Sequence, residues 1–161
     1  MAERAVVNAS PLIFLAGAEL LELLRLAADD VVVTSPVAEE IERRGPTDPT
    51  ARALQETNWL SITETPEIPP VIQAWGLGAG EASVLAWSYV NAGSEAIIDD
   101  LAGRRCAAAL GIPVRGTLGL VLVAKRRGQI ASARSVLDQL RQSGMYLSDR
   151  ILNEALTLVG E

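Results

Sequence analysis

Acidic side chains at separate places in the sequence could together bind a metal ion. Glu40, Glu81 and the adjacent Asp99 and Asp100 each fall near a point where a strand is predicted to end or a helix to begin. Carboxylates brought together from separate elements repel one another, which is costly unless a cation lies among them. Carboxylate oxygens favour hard ions. We therefore interpret these acids as a site for Mg²⁺ or Mn²⁺.

Each of these acids also has an ordinary structural explanation. A carboxylate in the first turn of a helix is favoured by the helix dipole by roughly 0.3–1 kcal/mol, which could account for Glu40 or Glu81. Asp99 and Asp100 could cap the helix that follows them, because aspartate is among the best N-cap residues. For any single acid, the structural and the metal-binding explanations have about equal weight. Metal binding is favoured only when the four acids are considered together.

The residue types that are missing narrow the chemistry. The 161 residues contain no histidine and one cysteine, Cys106, which excludes an internal disulfide, a Ser-His or Cys-His nucleophile pair and a structural zinc site. The net charge of −6 argues against a protein that coats nucleic acid through a basic surface. Since no stretch resembles a membrane span or a secretory signal, we expect a soluble, cytoplasmic protein with no membrane partner.

Basic residues are concentrated in the second half of the chain. Residues 1–80 contain 12 acidic and 5 basic side chains, whereas residues 81–161 contain 8 acidic and 9 basic ones. We expect contacts with phosphate to come from the second half, where Arg104 and Lys125 are candidates, although a solvated helix face is the alternative. Ser10 and Thr117 could add hydroxyl contacts to a substrate, but both are more simply explained by the capping of a turn or helix.

Short apolar strands alternate with amphipathic helices and must position these residues. We predict strands at residues 5–7, 30–34, 59–62, 96–98 and 112–114. We predict helices at residues 12–16, 20–26, 37–42, 50–57, 79–93, 101–110, 118–127, 131–142 and 148–158. The proline-rich residues 64–70 are predicted to form an irregular connection.

This alternation is typical of an α/β fold. We expect a mainly parallel sheet of about four to five strands with helices on both faces. Since no repeat, linker or low-complexity segment divides the sequence, residues 1–161 are expected to form a single domain. Ligands of such sheets collect beyond the carboxyl ends of the strands, where loops enter helices. Asn8, Asp99 and Asp100 should therefore lie at this edge of the sheet.

Segments spread over nearly the whole chain match the motifs of one known family. They are VVNASPLIFLA from residue 6, VAEEI from 37, GEA from 80 with LA at 85, IIDD from 97 with RR at 104, RGTLG from 115, KRRG from 125 and LSDR from 147. In these segments the chain resembles the PIN-domain superfamily, and more specifically its uncharacterised prokaryotic branch related to VapC-type toxins. The resemblance implies a PIN-like three-layer fold and a divalent-metal-dependent ribonuclease.

The resemblance also implies roles for particular residues. In PIN domains, acids at the end of strand one, in the helix after strand two and further along the chain jointly bind Mg²⁺ or Mn²⁺. These roles fall on Asn8, Glu40, Glu81 and Asp99 or Asp100. Position 8 is an amide where most PIN nucleases have a carboxylate, although the branch that the chain resembles often has asparagine there. Since an amide oxygen can bind Mg²⁺ but supplies no charge, we expect weaker metal binding.

Other functions remain open at this point. The main alternative is a catalytically weakened PIN-like module that binds RNA or protein, with Asn8 marking the lost chemistry. The apolar helices at residues 20–26 and 118–123 could pair in a homodimer or pack against a small antitoxin, a partner that the resemblance to toxins implies. A receiver domain is excluded because it needs its acidic pair after strand one. Of the tryptophans, Trp75 is the candidate for stacking on a base.

Overall fold

The computed structural model describes residues 2–161, and its centre is a five-stranded sheet. The strands are β1 (Ala2–Val7), β2 (Ala28–Thr34), β3 (Leu60–Thr63), β4 (Glu95–Ile97) and β5 (Val114–Arg115). They lie in the order β3-β2-β1-β4-β5, and every neighbouring pair is parallel. The prediction of an α/β fold with a mainly parallel sheet is confirmed, and the sheet of residues 2–161 is entirely parallel.

Helices connect the strands in the predicted alternation. They are α1 (Ala9–Gly17), α2 (Ser35–Glu42), α3 (Pro49–Glu56), α4 (Pro70–Gln73), α5 (Ala79–Val90), α6 (Leu101–Ala109), α7 (Thr117–Arg126), α8 (Ala133–Gln142) and α9 (Asp149–Leu158). Proline stands in the first turn of α2, α3 and α4, where its missing N–H leaves no helical hydrogen bond unmade. No helix of residues 2–161 is long and apolar enough to cross a membrane.

The two longest strands are buried on both faces. The apolar runs at residues 5–7 of β1 and 31–33 of β2 are fully inaccessible to solvent. Such continuous runs, without polar alternation, are expected of parallel strands that helices cover on both sides. The centre of the sheet is therefore the centre of the hydrophobic core.

One element differs from the prediction. Residues 20–26 were expected to be α-helical, but Leu21–Leu26 form a 3₁₀ helix that follows Glu19, a residue with a φ of 60°. The short helix α4 begins where the predicted irregular segment ends, because Pro70 can begin a helix. The 3₁₀ helix does not change the topology.

The strand order reverses direction next to β1. From β1 the chain adds β2 and β3 on one side and then returns to place β4 and β5 on the other. Val7 is in register with Ile97, so Asn8 and residues 98–100 leave the sheet at the same edge. The crevice at such a switch point is where open parallel sheets bind their ligands. The fold thus brings Asn8 and the aspartate pair to the expected place.

Candidate active site

Asn8 is buried at the end of β1 with an unpaired side chain. It is 3% exposed, and its backbone N–H donates to the Ile97 carbonyl at 3.0 Å. Although it is the N-cap of α1, its side-chain amide makes no capping hydrogen bond, nor any other with residues 2–161. Among residues 2–161, only the Thr65 hydroxyl is fully buried without a hydrogen-bond partner, so the unpaired Asn8 amide keeps a small solvent-accessible surface. The Asn8 amide is therefore available to a ligand.

Two glycines lie directly against this amide and two of the acids. A Cβ on Gly80 would lie 3.3 Å from Oδ1 of Asn8. A Cβ on Gly103 would lie 3.7 Å from Oδ2 of Asp100 and 3.8 Å from Cγ of Glu81. The stem of Glu81, in the first turn of α5, and the carboxylate of Asp100, just before α6, thus both lie against Gly103, whereas Oε2 of Glu81 lies 2.8 Å from the point where a Cβ on Gly78 would be. We call Asn8, Glu81 and Asp100 the acid edge.

The adjacent aspartates hold the starts of two different helices. Asp100 is the N-cap of α6, and its Oδ2 accepts the Gly103 N–H at 2.9 Å. Asp99 accepts both the backbone N–H and the hydroxyl of Thr117, each at 2.7 Å, and so fixes the start of α7. Oδ1 of Asp100 takes no part in this capping hydrogen bond, whereas both carboxylate oxygens of Asp99 accept hydrogen bonds from Thr117.

Glu40 stands apart from the other acids. It is exposed on α2 and forms no ion pair or side-chain hydrogen bond with residues 2–161. Val37, three residues earlier on α2, has its Cγ2 3.7 Å from the point where a Cβ on Gly80 would lie. Residues three apart share a helix face, so Glu40 lies on the same side of α2 as Val37, which faces α5. The Glu40 side chain extends from that side into solvent.

The oxygen donors of the acid edge fit a partly hydrated divalent ion. Among residues 2–161, no three acidic or cysteine side chains stand together as a ready-made metal site. The acid edge offers instead two carboxylates, Glu81 and Asp100, beside the unpaired Asn8 amide. Mg²⁺ is usually bound through one or two carboxylates while it keeps several of its waters. The chemistry of this donor set therefore suits Mg²⁺ or Mn²⁺.

Comparison with known families agrees with this geometry. A family model described as a PIN domain matches residues 4–161. The chain belongs to the PIN-domain family. PIN domains are generally nucleases, and they generally depend on divalent metal. No curated protein matches the chain significantly, so membership of the toxin-related branch stays a prediction.

Buried hydroxyls anchor the acid edge of this PIN domain to the sheet. The hydroxyls of Thr34, at the end of β2, and Ser83, in α5, share a hydrogen bond of 2.8 Å, and both residues are fully buried. The Ser83 hydroxyl also lies 2.7 Å from the Gly80 carbonyl, to which it can donate. The pair fixes the first turn of α5, which carries Glu81, against the sheet. Sequence reasoning missed it, because a lone Thr and a lone Ser carry no motif.

A groove opens beside the acid edge of the PIN domain. Its volume is approximately 740 Å³. The residues that line it are Ser10, Phe14, Asp99, Asp100, Arg104, Val114, Arg115, Gly116, Leu118, Gly119, Leu122, Met145, Tyr146 and Leu147. Acidic, basic and apolar side chains thus share one concave surface.

Two of the predicted substrate-binding residues lie in this groove. Ser10 lines it, and its hydroxyl makes no hydrogen bond with residues 2–161, so the predicted capping role is not seen. Arg104 also lines the groove and donates from Nη1 to the Ile98 carbonyl at 3.2 Å. No carboxylate among residues 2–161 lies within ion-pair distance of its guanidinium. Arg104 is therefore a cation with spare hydrogen-bonding capacity at the groove.

The other two predicted substrate-binding residues are placed differently. Thr117 is fully buried, and its hydroxyl is bound to Asp99, so it supports that aspartate and is not accessible to a substrate. Lys125 lies at the far end of α7, where its Nζ donates to the Ala131 carbonyl at 2.7 Å and meets the Glu161 carboxylate at 3.4 Å. The structure does not bring Lys125 to the acid edge, because seven to eight residues of helix, about 12 Å, separate it from Thr117.

Trp75, Tyr146 and Cys106 differ in their exposure and in whether they reach the groove. Trp75 is 40% exposed but does not line the groove, whereas Tyr146 lines it and is 89% exposed. Sequence reasoning missed Tyr146, which lies in the loop after Gly144, a residue with a φ of 109°. Burial raises the pKa of the Cys106 thiol, so this cysteine is a neutral packing group and not a nucleophile.

Proposed function

We propose that this PIN domain is a divalent-metal-dependent ribonuclease that hydrolyses phosphodiester bonds. The observation that carries the proposal is the unpaired amide of Asn8 against Gly80, next to Glu81 in the chain, with Asp100 and the Glu81 side chain both against Gly103. The three side chains come from separate elements. The like charges of Glu81 and Asp100 repel each other, and a bound cation would offset that repulsion.

Each acidic residue and Asn8 has a distinct role in the proposed reaction. Asn8, Glu81 and Asp100 would hold Mg²⁺ or Mn²⁺, and Glu40 would approach from α2. A bound divalent ion lowers the pKa of a coordinated water and stabilises negative charge on the phosphate and the leaving oxygen. Asp99 is a positioning residue, because its bonds to Thr117 fix the end of β4.

Arg104 supplies the positive charge that the substrate needs. Its guanidinium has no acidic partner among residues 2–161 and lies in the groove next to Asp99 and Asp100. Guanidinium groups bind phosphate oxygens through charge-assisted hydrogen bonds. Ser10 adds an unpaired hydroxyl on the same surface. We propose that these two side chains orient the phosphate at the acid edge.

The test compares metal-dependent stability with cleavage. In a variant with Glu81→Gln and Asp100→Asn, both side chains keep their size, and Asn remains a good N-cap for α6. Mn²⁺ should raise the Tm of the wild type but not of the variant, and the variant should be the more stable of the two in EDTA because repulsion is relieved. Cleavage of single-stranded RNA with Mn²⁺ should fall to background.

A matched control separates the acid edge from general loss of charge. The double variant Glu3→Gln with Asp138→Asn removes one exposed glutamate and one exposed aspartate that have no ion-pair partner in the described chain. It should retain both the metal response and the cleavage. If the two double variants behave alike, the acid edge is not the metal site.

A PIN-like binding module without catalysis is the second candidate function. The amide at position 8 favours it, because a neutral ligand holds a divalent ion less tightly than a carboxylate does. In this case the wild type would bind single-stranded RNA and leave it intact with Mg²⁺ and Mn²⁺. The cleavage assay described above therefore decides between the two functions.

Narrower proposals accompany the ribonuclease. We propose that residues 1–161 act as one domain in the cytoplasm, as the toxin of a toxin–antitoxin pair with a small antitoxin partner. A homodimer through residues 20–26 and 118–123 has less surface available than the sequence suggests, because Leu23, Leu24 and Leu120 are buried within the chain. Genomic neighbourhood and sedimentation would test the antitoxin and the dimer.

A further inference from the structure

Tyr146 presents an almost free aromatic ring at the groove. It is 89% exposed, and its hydroxyl forms no hydrogen bond with residues 2–161. Exposure of one aromatic ring is common and proves nothing by itself. What distinguishes Tyr146 is its place, because the groove that it lines also contains Asp99, Asp100 and Arg104. A free aromatic face and a candidate phosphate-binding cation therefore share one surface.

The groove combines apolar walls with a charged end. Its apolar side chains include Phe14, Leu118, Leu122 and Met145, whereas the acid edge reaches it through Asp100. A volume of approximately 740 Å³ is within the range of pockets that hold small organic ligands. Apolar walls suit the faces of a nucleobase, and the charged end suits the phosphate of the same nucleotide.

Two glycines at the start of α7 let charged side chains pack closely against the backbone. A Cβ on Gly116 would lie 2.8 Å from Nη1 of Arg104 and 3.0 Å from Oδ1 of Asp99. A Cβ on Gly119 would lie 2.9 Å from Cγ of Arg115. Side chains already occupy the space beside both glycines, so Arg104, Asp99 and Arg115 pack closely against the start of α7. This packing places the Arg104 guanidinium next to Asp99 at the charged end of the groove.

We propose that the groove holds one unpaired nucleobase of single-stranded RNA, stacked on Tyr146, next to the phosphate at the acid edge. The inference rests on the proposed ribonuclease function and names a substrate subsite for it. A base in a duplex is paired and stacked and cannot enter the groove, so the PIN domain should select single strands. Arg104 pairs with the adjoining phosphate.

The test uses a short single-stranded RNA that carries one 2-aminopurine, with metal chelated by EDTA so that no strand is cut. Stacking on an aromatic ring quenches the fluorescence of this base, and anisotropy of an end label reports binding. Wild type and Tyr146→Phe should bind and quench. Tyr146→Ala should bind about tenfold more weakly and lose the quench, since one stacking contact is removed.

Tyr89 provides the matched control. It is 46% exposed at the last turn of α5, about 12 Å along the helix from Glu81 and outside the groove. Tyr89→Ala should bind and quench as the wild type does. The proposal is overturned if Tyr146→Ala retains the quench, if Tyr89→Ala loses as much, if the wild type does not bind the labelled strand, or if duplex RNA competes equally.

These outcomes are distinguishable from failure of the ribonuclease. Quenching that depends on Tyr146, together with no cleavage in Mn²⁺, supports the base subsite and rejects the nuclease. Cleavage in Mn²⁺ that is unchanged in Tyr146→Ala supports the nuclease and rejects the subsite. The EDTA measurement and the Mn²⁺ measurement therefore test separate statements.

Discussion

The carboxylate of Glu161 and the carboxylates of the acid edge have opposite surroundings. Glu161 accepts the backbone N–H groups of Ala133 at 2.7 Å and Arg134 at 3.2 Å, and it meets Nζ of Lys125 at 3.4 Å. The hydrogen bond from Ala133, with those from Arg134 and Lys125, lowers the pKa of Glu161. Glu81, in contrast, makes no hydrogen bond or ion pair with residues 2–161.

Acids that stabilise the fold and acids that serve function differ in the hydrogen-bond donors around them. An acid that serves stability obtains donors from the chain, as Glu161 does at the start of α8. Glu81 lies beside an amide, Asn8, that is equally without a partner, and real proteins depart from local satisfaction mainly at functional sites. Both residues are glutamates, so only their surroundings in the fold distinguish them.

The largest effect is expected when the Asn8 amide is replaced by a charged carboxylate. Asn8→Asp places a third carboxylate, buried and without donors, at the acid edge. In EDTA the variant should lose on the order of 3 kcal/mol of unfolding free energy, because an uncompensated charge is buried, and Mn²⁺ should restore much of it. Urea unfolding with EDTA and with Mn²⁺ measures both effects.

The control for this change is Asn153→Asp on the exposed face of α9. It should alter stability by less than about 0.5 kcal/mol with or without metal. Equal behaviour of the two variants in EDTA would mean that the surroundings of Asn8 already contain the donors that we find missing.

The second change tests the positioning of Asp99. Thr117→Val removes the buried hydroxyl that donates to Asp99 at 2.7 Å and should cost about 1–3 kcal/mol, because the carboxylate is left with one donor fewer. Thr157→Val, on an exposed hydroxyl that donates to the Asn153 carbonyl, is the control and should cost much less. Equal denaturation midpoints for the two variants would show that the Thr117 hydroxyl does not stabilise the Asp99 carboxylate.

The third change, Glu161→Gln, tests how the contribution of Glu161 to stability depends on pH. Because the pKa of folded Glu161 lies below its ordinary value of 4.5, its contribution to stability is complete above that pH and is lost as the pH falls below it. The difference in Tm between wild type and Glu161→Gln should therefore shrink between neutral pH and about pH 3. A difference that grows on acidification would reverse the assigned sign.

The smallest effect is expected for Glu40. Because its side chain is exposed and unpaired, Glu40→Gln should leave metal-free stability within about 0.5 kcal/mol of the wild type. Its Mn²⁺-induced rise in Tm should be reduced but still present, whereas Glu81→Gln should lose most of the rise. Titration of Tm with Mn²⁺ compares the two, and equal losses would place Glu40 fully within the acid edge.

Much of the fold could be predicted because its signals are local. The apolar runs at residues 5–7, 31–33 and 96–98 mark strands, and the placement of Asn8 and Asp99 at strand ends follows from the first and the last of them. The separate tasks of Asp99 and Asp100 could not be predicted, because they depend on where Thr117, 18 residues later, comes to lie. The exposure of Tyr146 depends on a loop without periodicity.

The two hydrogen bonds between Asp99 and Thr117 have a mechanical consequence. They join the loop after β4 directly to the first residue of α7, so the wall of the groove cannot shift without moving the loop that carries Asp100. A movement of α7 is therefore mechanically coupled to a movement of Asp100, so the groove wall and this carboxylate are expected to shift together.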